Sequence, residues 1–222
     1  MAQHSHSHLG DSWSGWSTIS AEKTTSFTVW LTGLPGSGKA TLAQIVKQAL
    51  TVRGYKVEII DSQALAYWLK QELHIDDVLE EERSHAPGYD AFVTYICMLL
   101  ARNGIITIPV SVSPYQEARR HARQQIGHFI EVYVHCPTQL RYRRLYQQEV
   151  TVDLPADVYQ PPDKAEIAID TSCEPPERSA LRILSYLEEH GYVAPRWEEH
   201  EIFSDEELAT VKARLQALGY LD

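Results

Sequence analysis

The sequence predicts an α/β protein: a three-layer sandwich, with helices on both faces of a mostly parallel five-stranded sheet. Three observations point there. Five short apolar runs, rich in β-branched residues, recur along the 222 residues. Helix-length segments fill the intervals between them. A glycine-rich turn joins the first run to the first of those segments, the order that a phosphate-binding loop requires.

The runs at 27–32, 56–61, 105–111, 129–134 and 165–170 read as strands. They are nearly continuous in hydrophobicity instead of alternating, as strands covered on both faces must be. Helices are expected at about 40–53, 62–72, 88–102, 114–126, 137–148 and 176–190. The stretch 151–164 carries Pro155, Pro161 and Pro162 and reads as a loop, in the place where nucleoside-type kinases keep a closing lid.

Gly33-Leu34-Pro35-Gly36-Ser37-Gly38-Lys39-Ala40-Thr41 fits G-x-x-x-x-G-K and then breaks the pattern at Ala40, where Ser or Thr is required. Glycines allow successive backbone N–H groups to cradle phosphate oxygens, the following helix adds its N-terminal dipole, and Lys39 reaches the β- and γ-phosphates. The dipole contributes only about 0.3–1 kcal/mol, so the N–H bonds and the Lys39 charge must supply most of the affinity. A plain glycine-rich turn is the alternative. The missing hydroxyl is normally a Mg²⁺ ligand, and a methyl group cannot coordinate a hard cation. Thr41 is adjacent but points roughly 100° away around the helix. Weakened metal binding is therefore expected, with Thr41 and Asp61 as the remaining candidate ligands and water able to fill the vacant position.

Thirty Asp+Glu against 20 Lys+Arg give a formal net charge of −10, which argues against nucleic-acid or anionic-membrane binding. No apolar run approaches the roughly 18–20 residues that span a bilayer, and the N-terminus lacks the order of a secretory signal. Cys97, Cys136 and Cys173 lack metal-ligand spacing and read as buried thiols. A cytoplasmic protein is expected.

Three regions follow: a polar Ser/His-rich arm at 1–26, a phosphate-loop domain at 27–194, and an acidic linker with a C-terminal helix at 195–222. In the arm, His4, His6 and His8 alternate with serine and read as a flexible or tag-like tract, with metal chelation as the alternative; Trp13 and Trp16 could pin the arm to the domain. In the tail, Ser204-Asp205-Glu206-Glu207 forms a capping box before Leu208, Val211, Leu215 and Leu218. That helix packs on the domain or on a dimer partner, or docks another protein.

Ligands in open α/β sheets bind beyond the C-terminal ends of the strands, where the loop, Asp61 and Ser113-Pro114 all fall. Taken alone, Asp61 is an acid at a strand end and Ser113 a turn residue before proline. Arg141, Arg143 and Arg144 precede the lid-like loop and either clamp phosphates or form a solvated helix face.

The segments GLPGSGKATLA at 33–43, VSVSPYQEARRHAR at 110–123, FIEVYVHCP at 129–137 and VYQPPDKAEIAIDTS at 158–172, with Asp61, resemble adenylyl-sulfate kinase. The resemblance runs from about residue 27 to 193. It implies a P-loop kinase-like fold, ATP with Mg²⁺, and transfer of the γ-phosphoryl to the 3′-hydroxyl of adenylyl sulfate; the family's habit implies a homodimer. It implies that residues 33–41 hold the nucleotide and that Lys39, Asp61 and Ser113 are catalytic. Asp61 would position a metal-bound water or accept the hydroxyl proton, and Ser113, Pro114 and Arg119 would face the acceptor. The chain also departs from the family. D-G-D-x-x-R becomes Asp61-Ser62-Gln63-Ala64-Leu65-Ala66, and D-R-x-x-N-x-R-R aligns with His85-Ala86-Pro87-Gly88-Tyr89-Asp90-Ala91-Phe92. The Arg after S-P-Y is Gln116, and the K-G-L-Y element is shortened to Leu145-Tyr146. These departures leave three readings: an active kinase of this type, a kinase with another acceptor, or a nucleotide-binding pseudokinase.

Overall fold

The computed structural model describes residues 26–73, 87–148, 158–195 and 205–217. Five strands form one sheet: β1 (Thr28–Thr32), β2 (Val57–Asp61), β3 (Ile106–Val110), β4 (Phe129–His135) and β5 (Ile167–Asp170). Their order is β2-β3-β1-β4-β5, and every strand pair is parallel. The helices are α1 (Lys39–Val52), α2 (Ser62–Leu73), α3 (Pro87–Ala101), α4 (Gln116–Gln125), α5 (Thr138–Gln147), α6 (Pro176–Glu189) and α7 (Asp205–Ala217).

The pleat sorts β1 between two cores. Val29 and Leu31 join Leu42, Ile45 and Val46 of α1 and Ala180, Ile183 and Leu184 of α6 on one face. Trp30 points the other way, to Val93 and Cys97 of α3, Ala122 of α4 and the ring of Phe129 at 5.5 Å. Each buried Leu or Ile is worth about 1.5–3 kcal/mol, against about 0–1 for an exposed ion pair such as Lys47–Glu58, so these two layers hold the fold.

Pro109 sits inside β3, an interior strand. The amides of Thr107 and Ser111 donate to Phe27, just before β1, and to Leu31 of β1, so proline removes the ladder bond between them. Burial of the whole strand compensates the loss.

Val211 of α7 is 6% exposed and packs into the core cluster beside α1. The N-terminal arm with its histidines and Trp13 and Trp16, residues 74–86, residues 149–157 with the first half of the lid-like loop, the linker at 196–204 and Leu218 lie outside the described residues.

Candidate functional site

Beyond the C-terminal ends of the strands, β1 runs into the glycine loop and the loop into α1. Gly36 (φ 77°) and Gly38 (φ 98°) occupy left-handed backbone, and a Cβ at Gly33 would run into the Val134 carbonyl. Five consecutive loop carbonyls accept hydrogen bonds, two from Lys39 of the loop itself and three from Arg141, Arg144 and Thr171. Lys39 Nζ donates to Gly33 O at 2.7 Å and Leu34 O at 3.0 Å. Arg141 Nη1 donates to Pro35 O at 3.0 Å, Arg144 Nη1 to Gly36 O at 3.4 Å, and the Thr171 hydroxyl to Ser37 O at 2.8 Å. With its carbonyls engaged, the loop presents its amide edge to an approaching phosphate. Lys39 is buried, and burial pushes its ammonium down to about 7; Asp61 opposes that shift and the charge of Arg141 adds to it.

These residues offer few ligands to magnesium. Ala40, at the position of the usual hydroxyl ligand, leans on the apolar cluster. Thr41 lies one residue further into α1 and is half-buried. Asp61 spends Oδ1 on the amides of Gln63 and Ala64 at 2.9 and 3.1 Å, capping α2. Among the described residues, no group of three or more His, Cys, Asp or Glu could hold a metal. These donors do not by themselves make a protein-held Mg²⁺ site, since Mg²⁺ would rest on Thr41, Asp61, phosphate oxygens and water.

Ser113 and Arg119, expected at the acceptor, are instead internal joints of the turn after β3. Ser113 is 1% exposed at φ 44°, donates its hydroxyl to Asp90 Oδ1 at 2.7 Å and accepts the Trp30 indole N–H at 3.1 Å. Its proton and one lone pair are engaged and the side chain is buried, so the hydroxyl is not presented to solvent. The Arg119 guanidinium is likewise turned inward, donating to Glu131 Oε1 at 2.7 Å, Ser113 O at 2.5 Å and Gln160 O at 2.7 Å. Glu131 in turn meets Arg123, which forks onto Glu166. Pro114 contributes its carbonyl, accepting the Gln160 amide at 2.8 Å. Gln116, replacing the family's arginine, donates to Pro161 O and Asp163 Oδ1, so the described end of the lid-like loop is strapped to α4.

Asp90 is the residue the motifs missed. It is the single charged residue in α3, 3% exposed, and burial pushes its carboxyl up to about 6 against the bonds from Ser113 and Ser111. A lone acid in an otherwise apolar helix was the signal. Tyr89, aligned with the family's asparagine, donates to Ser62 O at 2.5 Å.

The three arginines of α5 diverge. Arg141 and Arg144 turn to the phosphate loop, and Arg144 also bonds Thr171 Oγ1 and O at 2.9 and 3.0 Å. Arg143, expected with them as a phosphate clamp, is exposed.

The sequence model of the adenylylsulphate kinase family matches residues 25–170. An adenylyl-sulfate kinase of Halothermothrix orenii is 36% identical over 175 residues, covering 75% of this chain and 91% of the relative. One from a Picosynechococcus species is 33% identical over 177 residues, covering 76% and 97%. The Mycobacterium tuberculosis APS kinase solved in complex with AMPPNP and APS superposes with a TM-score of 0.61 at 25% identity, over 73% of this chain and 98% of that one.

Proposed function

The chain belongs to the adenylylsulphate kinase family, and we propose that it transfers the γ-phosphoryl group of ATP to a hydroxyl acceptor, the 3′-hydroxyl of adenylyl sulfate. The observation that carries the reading is the loop itself, its carbonyls held outward and Lys39 folded against it. Lys39 exchanges its loop carbonyls for phosphate oxygens and stabilises the charge on the transferred group, which is where phosphoryl transfer gains most from a protein. Asp61, fixed through Oδ1, keeps its second oxygen for orienting the acceptor hydroxyl or receiving its proton. No step is assigned to a protein-held metal.

A second reading, a nucleotide-binding module with another acceptor or none, is favoured by the start of α3. There Tyr89 and Asp90 are turned inward onto Ser62 and Ser113. The experiment is phosphoryl transfer from γ-labelled ATP in the presence of adenylyl sulfate, with separation of the nucleotide products. Product that disappears in Lys39→Ala supports the first reading. ATP binding without product in the unaltered chain overturns it in favour of the second.

A further inference from the structure

Arg141 is 4% exposed and has no carboxylate within ion-pair distance among the described residues, unlike Arg53, Arg119, Arg123 and Arg182. Nη1 reaches Pro35 O, while the buried Nε has no hydrogen-bond partner. The guanidinium also lies 5.6 Å from the Tyr142 ring centroid, a contact that offsets part of its burial without supplying an anion. A buried cation without an anion is costly, and its charge already acts on the second buried cation of the site, Lys39. Contact between α5 and the loop is close enough that a Cβ on Gly36 would lie 2.8 Å from the Arg141 carbonyl. A buried guanidinium without an ion-pair partner among the described residues, beside a lysine whose charged form burial disfavours, describes a place where a multiply charged anion is favoured. At the same loop, Ala40 removes the residue through which a metal would neutralise that anion.

We propose that Arg141 is a positioning residue of the phosphate site: it holds the Pro35 carbonyl outward and lends a fixed positive charge, so that a nucleoside di- or triphosphate binds with little dependence on Mg²⁺. The inference rests on the nucleotide-binding reading above. Arg141 acts from behind the loop through its carbonyl and its field, without touching the nucleotide.

The test is titration calorimetry of the full chain with ADP, and with inorganic pyrophosphate as a probe lacking the base, in excess EDTA and in Mg²⁺. The unaltered chain is expected to bind ADP in EDTA within about threefold of its affinity in Mg²⁺. Arg141→Gln, which keeps a donor for Pro35 O but no charge, should lose about tenfold in EDTA for both ligands and recover part of it in Mg²⁺. Arg141→Lys should stay within about threefold of the unaltered chain. Equal affinity of Arg141→Gln and the unaltered chain in EDTA overturns the proposal. So does an equal loss in the Gln and Lys variants, which would mean bracing without a role for charge. Were the Gln variant to fail to fold, the Lys variant decides: retained metal-free binding supports the charge, and lost binding in a folded protein overturns it. No ADP binding by the unaltered chain would remove the functional reading itself, a separate outcome.

Discussion

Asp90 accepts the hydroxyl of Ser113 at 2.7 Å, joining α3 to the turn after β3 across 23 residues of sequence. The bond makes the turn rigid at a strained φ of 44°, yet it places a carboxylate in an apolar layer with Oδ2 unpartnered. Structure is gained and charge burial is the cost, and pH separates the two.

Folded Asp90 holds its proton up to about 6, against an ordinary value of 3.8. Between those values the folded state binds more protons than the unfolded one. The raised pKa therefore contributes stability that is fully present below the unfolded value and is lost as pH rises through about 6. Asp90→Asn keeps an oxygen for Ser113 and cannot ionise, so its stability relative to the unaltered chain should climb over that window, by at most about 3 kcal/mol. Urea denaturation at the two ends of the window measures this. A difference that does not change with pH would show that the carboxyl is not titrating there.

Arg119 directs three guanidinium nitrogens at three acceptors, a fork that a lysine ammonium cannot copy. Arg119→Met leaves Glu131 facing only Arg123, at 3.3 Å, and should cost about 3–5 kcal/mol. Arg119→Lys should recover less than half of that. A loss under about 1 kcal/mol in equilibrium denaturation would return Arg119 to the acceptor-binding role.

Gly36→Ala combines a left-handed backbone with a Cβ 2.8 Å from the Arg141 carbonyl, so α5 must move off the loop. Nucleotide affinity should drop by about tenfold or more. Gly54→Ala is the control: its φ is also positive, 85°, but nothing lies within 4 Å. It should cost about 1–2 kcal/mol of stability and leave affinity alone. Similar affinities for the two variants would mean that the loop tolerates displacement of α5.

Burial holds Lys39 near 7, whereas a bound phosphate favours its charged form. Above pH 7 the protein must take up a proton to bind, so affinity should be level below 7 and fall by up to about tenfold per pH unit above it. Calorimetry in buffers of different ionisation enthalpy reads the uptake directly. Proton uptake near zero at about pH 8, or the same slope in Lys39→Met, would assign the titration to another group.

Much of this architecture is legible in the chain. The five strands were readable to within a residue or two because parallel strands buried on both faces leave uninterrupted apolar runs, such as TVWLT and ITIPV. The glycine loop was readable because its conformation needs glycine at fixed spacing. Pro109 was passed over inside its run, since pattern does not register which amide a ladder needs. Ser113 and Arg119 carry the motif, but their hydrogen bonds run inward to other elements. A motif marks where a side chain starts, and the partners that consume its donors, Asp90, Trp30, Glu131 and Gln160, arrive from other elements.

By itself, the sequence determined the α/β class, the strand order's raw material, the phosphate loop and its missing metal ligand at Ala40, because each is written in local spacing and in the chemistry of single side chains. Only the tertiary structure decided which cations are free to act. Arg119 and Arg123 are neutralised by Glu131 and Glu166, while Arg141, beside Lys39 at the loop, has no ion-pair partner among the described residues. The reason is that the effective charge and proton affinity of a group depend on burial and on neighbours within a few ångströms, and those neighbours are distant in sequence.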